Sequence, residues 1–349
     1  MNDSFRVRVN CHRTVRIRGC IITRRIGSRD SRSNMWIALQ PLGININGVA
    51  QSAKIWQVRH CGINHMATDI QVHHLTAMGQ DPLSQQIIAR WQQAGIDTSA
   101  VLIDEQRHPG LYLIQLDEQG ERTFLYWRND SAARYLMQHP QLPRLRQAIS
   151  GVDAIYLSGI SLAILPTADR QALLQWLGEL HRAGVEIIFD SNYRPALWQS
   201  PADARACYQQ LLAITALALV TDDDEQALWG DKDVAQTLQR LKAAGVQQAV
   251  VKQGAAGCCH QALHRGLPAI TIPTQAVRKV VDTTSAGDSF NAGFLAGYLQ
   301  GLEVEECARM GHRLAGIVIQ HKGAIIPESA THSVTNSFIK QMASKQASH

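Results

Sequence analysis

"VEIIFDSNYR" (residues 185–194) is a run of β-prone apolar residues that stops abruptly in polar ones. Three more stretches share its form: "DAIYLSGI" (153–160), "LALVTDDDE" (217–225) and "QQAVVKQGAAG" (247–257). Helical stretches lie between them, among them "DRQALLQWLGELHRAG" (169–184) and "VAQTLQRLKAAG" (234–245). Strand–helix alternation at this spacing implies an α/β fold with a mainly parallel sheet and helices on both faces. Polar residues collect at the strand ends, at Asp190 to Arg194, Asp222 to Glu225 and Lys252 to Gly257. In open parallel sheets the ligand crevice lies beyond the carboxyl ends of the strands. Several independent segments therefore deliver chemistry to one edge.

Upstream, "LTAMGQDPLSQQIIARWQQAGIDTSAV" (75–101) reads as a strand end, a turn, and a helix through Trp91 that stops at Gly95. "GLYLIQLDEQGERTFLYWRND" (110–130) reads as an antiparallel hairpin whose loop contains Gly120. The segment before Leu75 has no clear period, and its His60, His65, His73 and His74 sit in no recognisable ligand spacing. Through Arg32 it carries many Arg and almost no carboxylates, while the remainder of the +5 chain is close to balanced. No helical periodicity or interleaved aromatic residues accompany that charge, which speaks against nucleic-acid binding. With 349 residues and 45% hydrophobic content, the chain can bury a substantial core. No apolar run reaches 18 residues, and no secretory apolar region follows Met1. The seven cysteines (Cys11, Cys20, Cys61, Cys207, Cys258, Cys259, Cys307) form no Cys-x-x-Cys pair, which argues for reduced thiols and a cytoplasmic home.

The densest chemistry lies in "VVDTTSAGDSFNAGFLAGYLQG" (280–301). Ser285, Ala286 and Gly287 are small enough for backbone N–H groups to converge on an oxyanion, and a helix is expected from Asp288 onward. Free N–H groups and the helix dipole at such an end stabilise negative charge. A carboxylate there would repel phosphate unless it had a task. Asp288 is placed to take a proton from an attacking hydroxyl. On the residues alone, helix N-capping accounts for Asp288 equally well.

"DTTSAGDSFNAGFLAG" closely resembles the C-terminal signature of the PfkB, or ribokinase-like, sugar kinases. The resemblance runs nearly continuously from about Leu75 to Pro327, through "LTAMGQDPLSQQ", "YLSGISLAIL", "IIFDSNYRPALW", "VVKQGAAGC" and "VIQHKGAIIP". The pieces "YWRN" and "NYRP" point to the branch that acts on 2-keto-3-deoxygluconate. The resemblance implies a ribokinase-like three-layer α/β/α fold with a small β lid formed by a hairpin at about 100–130. It implies ATP and Mg²⁺ as cofactors, a small sugar acid as substrate, and a homodimer paired through the lids. In that reading Asp288 is the catalytic base, with Ser285, Ala286 and Gly287 as the anion hole. Tyr112, Tyr126, Arg128 and Arg194 bind the sugar acid, and an Arg fork suits a carboxylate. Asn192, Tyr193, Lys252, Gly254 and Gly257 lie on the nucleotide side, and Asp224 offers the metal a carboxylate.

Three departures accompany the match. Ser285 stands where the family usually has Gly, and Thr221 and Asp224 stand for its Asn and Glu. Residues 1–74 show neither the family's first strand, its lid strand nor its Gly-Gly-Asp segment. The expected organisation is therefore an aberrant segment at 1–74, a kinase domain at 75–335 and a flexible tail at 336–349. Back-translating "KIWQ" (54–57) and "HCGI" (60–63) one base later permits residues of the missing sugar-binding segment, which suggests a frame change before about Val72. An impaired remnant that keeps only nucleotide binding is the alternative to an active kinase.

Overall fold

The structure, a computed structural model, describes residues 71–93, 96–116, 122–149, 151–323 and 326–332, together with five short strands before residue 51. Those five are β1 (Arg6–Arg8), β2 (Thr14–Arg16), β3 (Met35–Leu39), β4 (Gly43–Asn45) and β5 (Val49–Ala50). There follow β6 (Gln71–Gly79), helix α1 (Pro82–Gln93), β7 (Val101–Asp104), β8 (Gly110–Leu116), β9 (Arg122–Trp127) and α2 (Leu142–Ala148). The alternating half comprises β10 (Ala154–Ser158), α3 (Gly159–Ala163), α4 (Thr167–Arg182), β11 (Glu186–Asp190), α5 (Pro201–Leu212) and β12 (Thr215–Thr221). It continues with α6 (Asp222–Trp229), α7 (Val234–Ala243), β13 (Gln248–Lys252), β14 (Cys258–Gln261), β15 (Ile270–Ile272), α8 (Ala286–Tyr298) and α9 (Val304–Val318).

One nine-stranded sheet runs in the order β15-β14-β13-β12-β11-β10-β3-β6-β7. Pairing is parallel from β13 through to β7, and antiparallel only at the β13–β14–β15 edge. Side chains alternate across it to fill two cores. Ile155, Leu157, Ile187, Phe189, Ala218 and Val251 face one core, with α4 and α5. Tyr156, Ile188, Leu217, Leu219 and Val250 face the other, with α8 and α9. Burial on both faces is why these strands read as unbroken apolar runs. Each fully buried Leu, Ile or Phe stabilises the fold by about 1.5–3 kcal/mol.

The lid is a separate four-stranded sheet, β5-β4-β8-β9. Its β8–β9 pair is the antiparallel hairpin expected from the sequence, with Tyr112 opposite Tyr126. The turn at 117–121 lies outside the described residues, as do the expected Gly95 helix stop, the tail at 336–349 and the residues behind the frame-change reading, 51–70.

The expectation of a missing first strand is corrected. The backbone of β3 lies between β10 and β6, parallel to both, and β4 pairs in parallel with β8 of the lid. A five-residue apolar run, "MWIAL", is enough, because a central parallel strand is held by main-chain hydrogen bonds and needs no periodicity. The strand whose end is read in "LTAMG" runs from Gln71 to Gly79. Of the four histidines, His73 and His74 are described and packed away: His73 Nδ1 lies 2.9 Å from Asp97 Oδ2, and His74 meets Trp91 edge-on.

Small residues in "NAGFLAG" have a packing cause. Helices α8 and α9 cross so closely that a Cβ on Gly293 would stand 2.7 Å from the Met310 carbonyl oxygen. One on Gly311 would stand 2.7 Å from the Phe290 carbonyl oxygen. Gly293→Ala is therefore expected to lower stability by about 1–3 kcal/mol through overpacking, despite Ala's better helix propensity. Gly178→Ala in α4, where a Cβ meets nothing within 4 Å, should raise stability by about 0.5–1 kcal/mol. Urea denaturation of the two variants checks the opposite signs.

Candidate active site

Strands β11, β12 and β13 and the N-terminus of α8 bring the expected residues to one edge of the sheet. Helix α8 begins at Ala286, two residues before the expected start, with Ser285 as its N-cap. Asp288 therefore stands in the first turn, and Ser285, not Asp288, occupies the N-cap position. Ser285 takes a left-handed backbone (φ 63°), the reason a Gly is usual there, and its side chain makes no cap bond. Its carbonyl accepts from Ser289 N at 2.8 Å and Ser289 Oγ at 2.6 Å.

Within the proposed anion hole the N–H groups differ. Ala286 N donates to Thr283 O at 3.1 Å, closing a turn, whereas Gly287 N has no acceptor among the described residues. Gly287 N is thus an open donor at a positive helix end. The turn is fastened from behind by Asp282. Its Oδ1 accepts from Thr284 N and its Oδ2 from Gly323 N, both at 2.8 Å.

The other site residues divide by burial. Asn192 also has positive φ (36°), which Asn tolerates, and its Nδ2 donates to Ser158 Oγ at 3.1 Å. Tyr193, expected on the nucleotide side, is 3% exposed and its ring packs in the core, where an aromatic side chain buries most area. Arg194 is exposed, and its Nη1 donates to Tyr193 O at 2.7 Å and Asp224 Oδ1 at 3.2 Å. Burial raises the Asp224 carboxyl above its usual range, against the pull of Arg194. Gly254 (φ 55°) shapes the turn after β13, and Gly257 is required by the approach of the Ile272 carbonyl, 2.3 Å from where its Cβ would stand. Lys252 is buried in an ion pair, its Nζ 3.3 Å from Asp190 Oδ1. Arg128 is partly buried after the lid strand; the side chains of Tyr112 and Tyr126 lie outside the described part.

No group of three or more His, Cys, Asp or Glu surrounds a metal site among the described residues. Mg²⁺ keeps its waters and takes one or two carboxylates plus substrate phosphates. Asp224, an oxygen donor in the first turn of α6 just after β12 with Asp190 as a neighbouring charge, fits this description.

Sequence reading missed Asn291 and Tyr156, which only a polar group within an apolar run marked, and gave Asp190 and Glu225 no role beyond membership of the strand-end clusters. Glu225, wholly enclosed in the first turn of α6, is pushed up to about 7 by desolvation, opposed by Arg240, whose Nη2 donates to its Oε2 at 2.6 Å.

Two predictions come from these residues. Ser285→Gly relieves the left-handed backbone and should raise thermal stability by up to about 1 kcal/mol, read by melting temperature. Glu225 binds its proton more tightly folded than unfolded, where 4.5 is ordinary. Its contribution to stability is thus fully present below pH 4.5 and is lost as pH rises through about 7. Urea midpoints of Glu225→Gln should fall less than those of the unaltered chain between those pH values.

Comparison with known proteins agrees with this geometry. Residues 59–331 match the pfkB family carbohydrate kinase description. A 2-dehydro-3-deoxygluconokinase of Haemophilus influenzae is 54% identical over 270 residues, covering 77% of this chain and 86% of that protein. The enzyme of the same name from Escherichia coli K12 is 46% identical over 264 residues, covering 75% and 84%. Among solved structures, a putative ribokinase II from E. coli superposes with a TM-score of 0.72 at 17% identity, covering 89% of this chain and all of that one. A Vibrio cholerae fructokinase, solved with fructose, ADP and calcium, gives 0.70 at 18% identity, covering 87% and 100%. A sheet edge built around a helix N-terminus with an acid in its first turn, on a chain this similar to such enzymes, leaves one conclusion: the chain belongs to the pfkB family of carbohydrate kinases.

Proposed function

We propose that the chain transfers the γ-phosphoryl group of ATP to the terminal hydroxyl of 2-keto-3-deoxygluconate (2-dehydro-3-deoxygluconate), giving 2-keto-3-deoxy-6-phosphogluconate and ADP. The observation that carries this reading is Asp288 in the first turn of α8, one residue from the open N–H of Gly287. As the new O–P bond forms, the hydroxyl proton passes to the Asp288 carboxylate and the bond to ADP breaks. The helix end and Gly287 N stabilise the charge that gathers on the transferring oxygens. A bound Mg²⁺ supplies further neutralisation of phosphate charge; Asp224 would hold it. Arg128 and Arg194 give the substrate carboxylate cationic partners, and Tyr112 and Tyr126, opposite each other on the lid strands, join them in binding the sugar acid. The sugar-acid assignment is supported by the names of the 46–54% identical relatives.

The cytoplasm and a homodimer complete the proposal. Cys207, Cys258, Cys259 and Cys307 are buried and form no disulfide among the described residues, and Trp127 at the end of the lid strand β9 is 55% exposed, a surface suited to pairing lids. A second reading, an impaired kinase that still binds nucleotide, draws support from the family match beginning only at residue 59.

Steady-state ATP consumption with 2-keto-3-deoxygluconate separates the two. Turnover that falls about 10²–10⁴-fold in Asp288→Ala with ATP affinity retained is expected. ATP binding without turnover in the unaltered chain supports the second reading.

A further inference from the structure

Four side chains, from strands β10, β11 and β13 and from helix α8, meet beneath the first turns of α8. Lys252 Nζ donates to Asp190 Oδ1 at 3.3 Å and to Asn291 Oδ1 at 3.0 Å. Asn291 Nδ2 donates to the Tyr156 hydroxyl at 3.2 Å, which donates to Asp190 Oδ2 at 3.3 Å. The bonds close a ring, and its members are 7% (Lys252), 3% (Asp190), 5% (Tyr156) and 1% (Asn291) exposed.

Stability does not explain the ring. Desolvating a charge pair often outweighs the Coulomb gain, and apolar residues of equal volume commonly hold a core as well or better. Two observations tie it to the site above. The ammonium has three N–H donors, two of them engaged, and no acceptor among the described residues takes the third. Its Nζ also lies 3.6 Å from the point where a Cβ on Gly287, the residue with the open N–H, would stand.

We infer that Lys252, held by Asp190, Asn291 and Tyr156, is a positioning residue for phosphoryl transfer. It locks the first two turns of α8 onto the strand ends and sets a fixed positive charge behind Gly287. In a dry, low-dielectric setting that charge acts more strongly than it would in water and needs no reorganisation as the transferring group becomes more negative. The inference rests on the kinase reading, since it assigns Lys252 a part in that reaction.

The test is Lys252→Met, which keeps the stem and removes the charge and donors. Expected is a fall in kcat of about tenfold to a hundredfold, with KM for the sugar acid within about twofold. Affinity for ADP with aluminium fluoride and the sugar acid, a mimic of the transition state, should fall much further than affinity for ADP alone. An unchanged kcat, with only the melting temperature lowered, overturns the inference, as does an equal loss of both affinities. Tyr156→Phe, which deletes one hydroxyl and keeps the ring, covers the case of a misfolded Met variant: kcat should fall several-fold at constant KM, and no change refutes the network's role. An unaltered chain that binds ADP but turns nothing over refutes the kinase reading instead. The two affinities then still decide whether Lys252 acts on a transition-state-like anion.

Discussion

The seating of α8 between the sheet and α9 is the constraint on which the site depends. Ser289 through Gly297 are all buried, and the Gly293–Gly311 crossing brings helix backbone against helix backbone. Such a contact tolerates little sliding or rotation, because interiors are packed to crystal-like density. The direction of the helix N-terminus, and with it Gly287 and Asp288, is thereby set by the core. Asp282 then pins the preceding turn to the residues after α9, so the loop that leads into α8 is fixed from behind at both ends.

Around that helix end the carboxylates are accompanied by cations. Asp190 pairs with Lys252, Asp224 with Arg194, and Glu225 with Arg240. An edge with several acids would otherwise repel a nucleotide triphosphate. The pairs are unequal in depth. Lys252 and Asp190 are enclosed, so parting them is strongly unfavourable. Arg194 is 52% exposed, and an ion pair open to water contributes only about 0–1 kcal/mol. It can leave Asp224 for a ligand at little cost, which suits a residue expected to meet a substrate carboxylate and a carboxylate expected to meet a metal.

The lid and the main sheet draw on the same early stretch of chain. β3 enters the middle of the nine-stranded sheet, and β4, only three residues later, enters the lid. The chain before residue 51 thus contributes backbone to both sides of the crevice, although its composition differs from everything after residue 75.

Much of the architecture was legible in the residues. Apolar runs ending in polar clusters, separated by helical stretches, determined a parallel α/β sheet and the edge on which its chemistry lies. Ser-Ala-Gly-Asp ahead of a small-residue run determined a helix N-terminus with Asp288 in its first turn. These are local signals, set by side-chain size, period and the dipole of one helix. What they could not supply was contact between distant segments. Asn291 meets Tyr156 across 135 positions, and Lys252 meets Asp190 across 62, so no spacing rule announces them. Tyr193 looked like a ligand contact until packing placed its ring in the core, and β3 carried no periodicity because a central parallel strand needs none. Sequence decided which elements form and which chemistry they carry. Tertiary structure alone decided which polar groups are buried together, because desolvation and pairing depend on neighbours brought in by the fold.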